Sequence, residues 1–196
     1  EVLLDIGANI GLYTVFAASK GIRVIACEPE SQNFSELNIN VHLNNVGDKV
    51  DCLSIALSDQ NKVDDLYIPT FGKGFALSNL GIPEDWKKET FSPQHIQKTI
   101  TYSIDSFLDF HPDFFPNHIK IDVDGHESTL FEGGEQTFSD SRVKSVLIEL
   151  NEDLSEDMAI VDKLISYEFK LKSRYHHPMF DNGDYSSIYN YIFLRN

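Results

Sequence analysis

The feature that most constrains this chain is a unit that it repeats: a short apolar run stopped by a turn, then a stretch with helical spacing. Val2–Ile6 is nearly continuous in apolar residues, too short for a buried helix, and ends at Gly7. Such a run reads as a strand covered on both faces. Residues 9–19 follow as a helix that Asn9 is placed to cap. The unit then recurs. Residues 22–27 form a strand, Pro29 opens the next helix at its first turn, and Phe34, Leu37 and Val41 follow at helical spacing toward Leu43. Residues 49–57 read as a third strand. Further on, residues 118–123, 127–138, 143–150 and 155–167 alternate strand, helix, strand, helix. Two β-rich runs, 169–175 and 187–194, close the chain as an antiparallel pair at the sheet edge. Strand–helix alternation of this kind predicts an α/β fold with a doubly wound, mostly parallel sheet.

Between them lies a stretch that breaks the rhythm. Residues 58–100 carry turn chemistry at Gly72, Gly74, Gly81 and Pro83, with a short extra strand at 65–69, a further strand at 100–102 and a helical turn or two at 104–110. A connection of about forty residues is long for a compact domain, and loops of that length tend to be lids or binding segments. The 196 residues suit one domain, 1–196, with residues 58–100 as its variable lid or acceptor segment. Because the chain opens directly in a strand, an upstream segment is expected.

Charge narrows the partners. There are 16 Lys+Arg against 31 Asp+Glu, a formal net charge of −15. Binding to a polyanion rests on basic residues that neutralise phosphates, so nucleic acid and anionic membrane surfaces are poor partners. No apolar run approaches the ~20 residues of a spanning helix. The first residues have no basic region of the signal-peptide type. Cys27 and Cys52 cannot build a disulfide framework, and both sit in strand-like runs as reduced core residues. A cytoplasmic setting follows. Oligomeric state is not legible.

Chemistry begins at the first turn, Asp5-Ile6-Gly7-Ala8-Asn9-Ile10-Gly11. A glycine there lets the backbone turn tightly and approach a ligand, and the following helix points free N–H groups into the same crevice. This is a nucleotide-type site at the carboxyl end of a strand. It is not the dinucleotide fingerprint G-x-G-x-x-G, since Asn9 and Leu12 stand where glycine is required. Nor is it a P-loop, whose Gly and Lys are replaced by Leu12 and Tyr13. About twenty residues later, Glu28-Pro29 ends the second strand. A carboxylate there can take both hydroxyls of a ribose and repels a 2′-phosphate.

Together Asp5–Gly11 and Glu28-Pro29 resemble the S-adenosylmethionine loop of class I methyltransferases, and the Gly-Ala-Asn-x-Gly form is similar to that of the FkbM family. Ala56-Leu57-Ser58-Asp59 resembles that family's segment after the third strand. Lys120-Ile121-Asp122-Val123-Asp124-Gly125-His126-Glu127, with Gly133-Gly134 behind it, resembles its Lys-Ile-Asp-x-Glu-Gly-x-Glu segment, with Asp124 where Glu is common. The match runs in order from Asp5 to about Leu150. The resemblance implies a seven-stranded Rossmann-like sheet, S-adenosylmethionine as cofactor, and methyl transfer to a hydroxyl of a sugar, lipid or natural product. It assigns Asp5, Gly7, Ala8, Asn9, Gly11, Glu28, Pro29, Ala56 and Asp122 to the cofactor. Asp5 is expected to engage the methionine end directly or through water, and the Ala56 backbone to contact adenine.

The cluster at the end of the fourth strand is the candidate catalytic group: Asp122, Asp124 and His126. In a doubly wound sheet that strand neighbours the first, at the switch point where ligands sit. His126 has the most suitable unperturbed pKa for a base, Asp124 could be the base or orient His126, and Glu127 suits a helix-capping role. The acids are of the type that hold Mg²⁺, but no metal is expected. Glu149 is a further acid at a strand end. Trp86, Phe71 and Phe75 could stack on an acceptor or pack beneath the loop, and His176-His177 with Tyr185 read as a surface loop. Two rivals stand beside an O-methyltransferase: a catalytically inactive methyltransferase-like module that binds a ligand or partner, and a nicotinamide-dependent reductase, which the failed glycine pattern weakens.

Overall fold

A computed structural model describes residues 1–176 and 178–195; His177, one of the two histidines read as a surface loop, lies outside them. The chain alternates β1 (Val2–Ile6), α1 (Leu12–Ser19), β2 (Arg23–Cys27), α2 (Ser31–Leu43) and β3 (Val50–Leu53). A second group follows: β4 (Ala56–Ser58), β5 (Lys62–Ile68), β6 (Asn79–Leu80) and β7 (His95–Ser103), then α3 (Ile104–Asp109). The last part is β8 (His118–Ile121), α4 (Glu127–Glu132), α5 (Glu135–Ser139), β9 (Ser145–Asn151), α6 (Ser155–Ser166), β10 (Lys170–Tyr175) and β11 (Ile188–Leu194).

Among the described residues the main sheet has seven strands in the order β10-β11-β9-β8-β1-β2-β3. From β3 to β9 neighbouring strands are parallel, and β11 enters antiparallel between β9 and β10. The expected mostly parallel sheet with a C-terminal antiparallel pair is therefore present. Side-chain alternation divides its cores. Leu4, Ile6, Ile25, Ile119, Ile121 and Ile148 pack on one face with Phe107, Leu130, Phe131, Phe138, Ile160 and Leu164 from α3–α6. Val24 and Ala26 point to the other face, under Ala17, Ala18, Leu37 and Val41 of α1 and α2. The chain runs from β1 outward to β3, then returns to place β8 on the other side of β1. That reversal opens a crevice above the ends of β1 and β8.

Four local expectations are corrected. The helix expected from Asn9 starts at Leu12, because Asn9 and Gly11 both take left-handed backbone angles and the turn is still being made. Pro29 lies one residue before the cap of α2, and Glu30 is that cap, accepting from the backbone N–H of Gln32 and Asn33. The third strand divides. Leu53 pairs with Cys27, where β2 ends, so the chain beyond it lacks a partner in that sheet and Ala56–Ser58 joins β7 instead. The helix expected over residues 127–138 breaks at Gly133-Gly134. A Cβ on Gly133 would lie 1.9 Å from the Ser58 carbonyl oxygen, so glycine there lets the break press against β4.

The irregular segment is also more ordered than its sequence suggests. Residues 58–100 contribute most of a second sheet, in the order β4-β7-β5-β6. Its long strand β7 inverts the usual pattern: Thr99 and Thr101 are buried, while Ile96 and Ile100 are about half exposed at 51% and 49%. The Thr101 hydroxyl is satisfied by donating to the Gln60 carbonyl at 2.7 Å.

Candidate active site

A cleft lies over the carboxyl ends of β1, β2 and β8, roofed by the second sheet and the segment 71–78. Its floor is the first loop. The amides of Gly7 and Ala8 both donate to the Cys27 carbonyl at 3.1 Å, drawing the loop across the end of β2. Gly7 has φ of 71°, and a Cβ there would fall 1.9 Å from the Asp122 carbonyl oxygen. Only glycine allows this crossing between β2 and β8.

Glu28 stands on the far side of that floor. Its Oε2 accepts from the Asn9 amide at 2.8 Å and its Oε1 from the Glu30 amide at 2.9 Å. The carboxylate is thereby fixed against the loop, with its remaining lone pairs available to the cleft. Burial pushes its pKa up to about 7 against the pull of those two backbone bonds. Pro29 and Ala56 line the same region, with Ile55, Leu57, Leu66 and Leu80 as apolar walls. Asn33 on α2 holds the roof: its Nδ2 donates to the Phe75 carbonyl at 2.9 Å and its Oδ1 accepts from the Gly74 amide at 2.7 Å.

The opposite wall is the turn after β8. Asp122, Asp124 and His126 all line the cleft. Asp124 takes a left-handed backbone angle, and its Oδ2 accepts from the Leu77 amide at 2.7 Å. Glu127 shapes this turn from beneath, accepting from the amides of Val123 at 3.1 Å and Gly125 at 3.0 Å. Its role is thus to clamp the turn ahead of its own helix. Burial raises the Glu127 pKa well above the usual carboxylate range. Burial, reinforced by the negative charge of Asp122, pushes Asp124 up to about 7.

His126 Nε2 lies 2.9 Å from the Ser58 hydroxyl, which itself donates to Asp59 at 3.1 Å. That hydrogen-bond order assigns the Nε2 proton to the His126–Ser58 bond and leaves Nδ1 as the acceptor. Burial, with the Lys88 charge adding to it, lowers the His126 pKa to about 4. The imidazole is neutral at pH 7 and a weaker base than its unperturbed pKa suggests.

Asp124 also belongs to a second, smaller cavity, lined by Trp86, Glu149 and Tyr185 among others. Trp86 and Tyr185 stack with ring centroids 4.6 Å apart. Glu149 is raised in pKa, by burial first and then by Asp122 and Asp124. Of the loop aromatics, Phe75 lines the cleft, whereas Phe71 packs on His95 at 4.7 Å. His176 sits in the hairpin, stacked on Tyr189 and bonded to Asp181.

Not every residue named from the sequence reaches the cleft. Asp5 is 0% exposed; its Oδ2 accepts from the Thr14 hydroxyl at 2.5 Å and its Oδ1 lies 3.5 Å from Lys120 Nζ. It is absent from the cleft lining, as are Ala8 and Gly11, so of the two routes expected for Asp5 the geometry favours the indirect one. Ala8 packs into the core on the α1 side, and Gly11 precedes α1 where a Cβ would fall 2.6 Å from Leu37 Cδ1. Sequence reasoning overlooked Asn33 and Lys120 as individual site residues. The only signal for Asn33 was a polar residue one position ahead of the apolar face of α2. Among the described residues no group of three or more His, Cys, Asp or Glu is placed to hold a metal ion.

This arrangement defines a Rossmann-like α/β fold of the methyltransferase type. A crystal structure of methyltransferase FkbM from Methylobacillus flagellatus KT superposes with a TM-score of 0.63 at 17% identity, covering 98% of this chain and 43% of that one. An rRNA methylase from Streptococcus thermophilus gives 0.56 at 12%, covering 100% and 86%. Precorrin-6y C5,15-methyltransferase from Geobacter metallireducens GS-15 gives 0.52 at 11%, covering 100% and 80%. The FkbM methyltransferase domain matches residues 5–175, and the chain belongs to that family. It spans less than half the length of the M. flagellatus protein. A comparison with curated proteins returns no match.

Proposed function

We propose that this chain transfers a methyl group from S-adenosylmethionine to a hydroxyl oxygen of a small molecule such as a sugar, lipid or natural product. The observation that carries this reading is Asp124, a single carboxylate shared by the large cleft and the small cavity beside it. The large cleft fits the cofactor. The Gly7 crossing leaves no room for a side chain, Glu28 offers a fixed carboxylate to paired ribose hydroxyls, and the apolar walls around Ala56 suit a flat base. When bound, S-adenosylmethionine supplies a methyl group activated by a positively charged sulfur.

The chain's own residues then have distinct tasks. Glu28 and the wall around Ala56 orient the nucleoside. Asp124 takes the proton of the acceptor hydroxyl. A base with a pKa of about 7 is matched to neutral pH, and a hydroxyl needs such a base because it is a poor nucleophile with its proton in place. His126 holds Ser58 and the edge of β4 against the turn. Trp86 and Tyr185 offer an apolar ring surface to the acceptor. Acidic walls at Glu28, Asp122, Asp124 and Glu149 favour a neutral acceptor over a nucleic acid. Free thiols at Cys27 and Cys52 suit a reducing, cytoplasmic setting. No helix among the described residues is long and apolar enough to cross a membrane.

Calorimetric titration with S-adenosylmethionine, repeated on Glu28→Ala, tests the cofactor site. Hydrogen bonds to a charged acceptor contribute ~1.5–3 kcal/mol each, so the variant should bind at least about tenfold more weakly. Absence of binding to the wild-type protein overturns the reading. Binding without turnover of any hydroxylated acceptor would support the inactive binding module instead.

A further inference from the structure

Lys120 lies beneath the first loop, 5% exposed. A buried ammonium persists only where charge and hydrogen bonds replace its water. Here its Nζ donates to the carbonyls of Gly7 at 2.8 Å and Ile6 at 3.4 Å. It pairs with Asp5 Oδ1 at 3.5 Å and Asp122 Oδ2 at 3.4 Å, and lies 5.5 Å from the Tyr13 ring. Burial works against its charge, but Asp122 and Asp5 outweigh that and hold its pKa above the ordinary lysine value. Two of these partners, Gly7 and Asp122, are walls of the cleft. None is Glu28, Pro29 or Ala56, the residues given to the nucleoside.

We propose that Lys120 is a positioning residue for the amino-acid end of the bound S-adenosylmethionine, fixing the Gly7 carbonyl and the Asp122 carboxylate that face it. The proposal rests on the cofactor reading above. Its physical basis is geometry and charge count. One ammonium ties β1, the first loop and β8 together, so the two acceptors cannot drift apart. Asp5 and Asp122 with Lys120 sum to one negative charge, and a ligand bearing a carboxylate, an ammonium and a sulfonium sums to one positive charge. Without Lys120 two close carboxylates would stand uncompensated, and the loop would lose its tether to β8.

The test separates the two ends of the ligand. The wild-type protein, Lys120→Met and Lys120→Arg are titrated with S-adenosylmethionine and with adenosine, which lacks the amino-acid end. Lys120→Met should weaken S-adenosylmethionine binding by about tenfold or more, the scale of a lost charge-assisted contact, while adenosine binding stays unchanged. Lys120→Arg keeps the charge and should show a smaller rise for S-adenosylmethionine, again without effect on adenosine. If Lys120→Met does not fold, the arginine variant decides alone. Equal weakening of both ligands, the signature of a merely structural role, overturns the proposal, as does an unchanged S-adenosylmethionine affinity. Wild-type protein that binds neither ligand overturns the cofactor reading and this proposal with it. Glu28→Ala should weaken both ligands, and so distinguishes the nucleoside end.

Discussion

At the scale of single residues, the division of labour between Asp124 and His126 is set by what surrounds each. Both are partly buried and desolvated by the protein around them, but desolvation acts on them with opposite sign, because it disfavours the charged form. The carboxylate rises to about 7 and the imidazole falls to about 4. Residue types alone favour histidine, whose unperturbed pKa is closer to neutrality; what reverses this order is desolvation of both groups, with the Asp122 charge adding to the rise of Asp124 and the Lys88 charge to the fall of His126, while the Leu77 amide opposes the rise of Asp124. Asp124→Asn should therefore reduce kcat by ~10²–10⁴-fold, the usual contribution of a general base, with cofactor affinity little changed. In the wild-type protein saturated with S-adenosylmethionine, so that titration of Glu28 in the cofactor site does not contribute, kcat/KM for the acceptor should rise with pH through about 7 as Asp124 loses its proton. That rise should be missing in the variant. A pH profile that is the same in both proteins would remove Asp124 from the role of base.

At the scale of elements, legibility followed apolar alternation. Strands β1, β2, β8 and β9 present isoleucine, leucine and valine to a core on one or both faces, and each was found within about two residues. Strand β7 was found only at its end, because its buried positions are threonine and its exposed ones isoleucine. Turns failed for a related reason: the glycines at 133 and 134 read as part of a helix until the carbonyl of Ser58 is known to lie against Gly133. The segment 71–78 shows what such long-range contacts do for the site. It is tied at one end to Asn33 and at the other to Asp124, through Gly74, Phe75 and Leu77. Asn33→Ala removes two of these bonds, at ~1 kcal/mol each. The Gly74 amide should then exchange with solvent roughly ten- to thirty-fold faster, while the Leu77 amide keeps its protection. Unchanged exchange at Gly74 would show that the remaining ties, the Lys73–Glu36 ion pair at 2.7 Å and the Asn9 side chain on the Phe75 carbonyl at 3.3 Å among them, hold the segment without Asn33.

For the whole molecule, the site imposes a stability cost that depends on pH. Glu28 and Asp124 have folded-state pKa values of about 7 against ordinary values of 4.5 and 3.8. Glu127, Glu149 and Asp157 are raised as well, all with burial as the leading cause. Between about pH 4 and 7 the folded chain therefore holds more protons than the unfolded one, and stability must fall as pH rises through that window. His126 acts in the other direction, since it is lowered from 6.5 to about 4 and favours the folded state as pH rises through that interval. Glu1, Asp64, Asp140, Glu152 and Asp184, lowered chiefly by their ion pairs, act in that same direction but below about pH 5, so above it the raised carboxylates decide the sign. The net charge of −15 adds self-repulsion in the same direction as the last protons leave. The melting temperature of the ligand-free protein should accordingly fall by about 10 °C or more between pH 5 and pH 8, given ~1.4 kcal/mol per pKa unit and ~2–4 °C per kcal/mol for a chain of this size. Asp124→Asn and Glu28→Gln should each flatten the fall, because neither amide loses a proton. A bound cation offsets the same carboxylates, so saturating S-adenosylmethionine should raise the melting temperature more at pH 8 than at pH 5. Thermal melts of the three proteins at both pH values, with and without ligand, check the argument, and a melting temperature that climbs from pH 5 to pH 8 would contradict it.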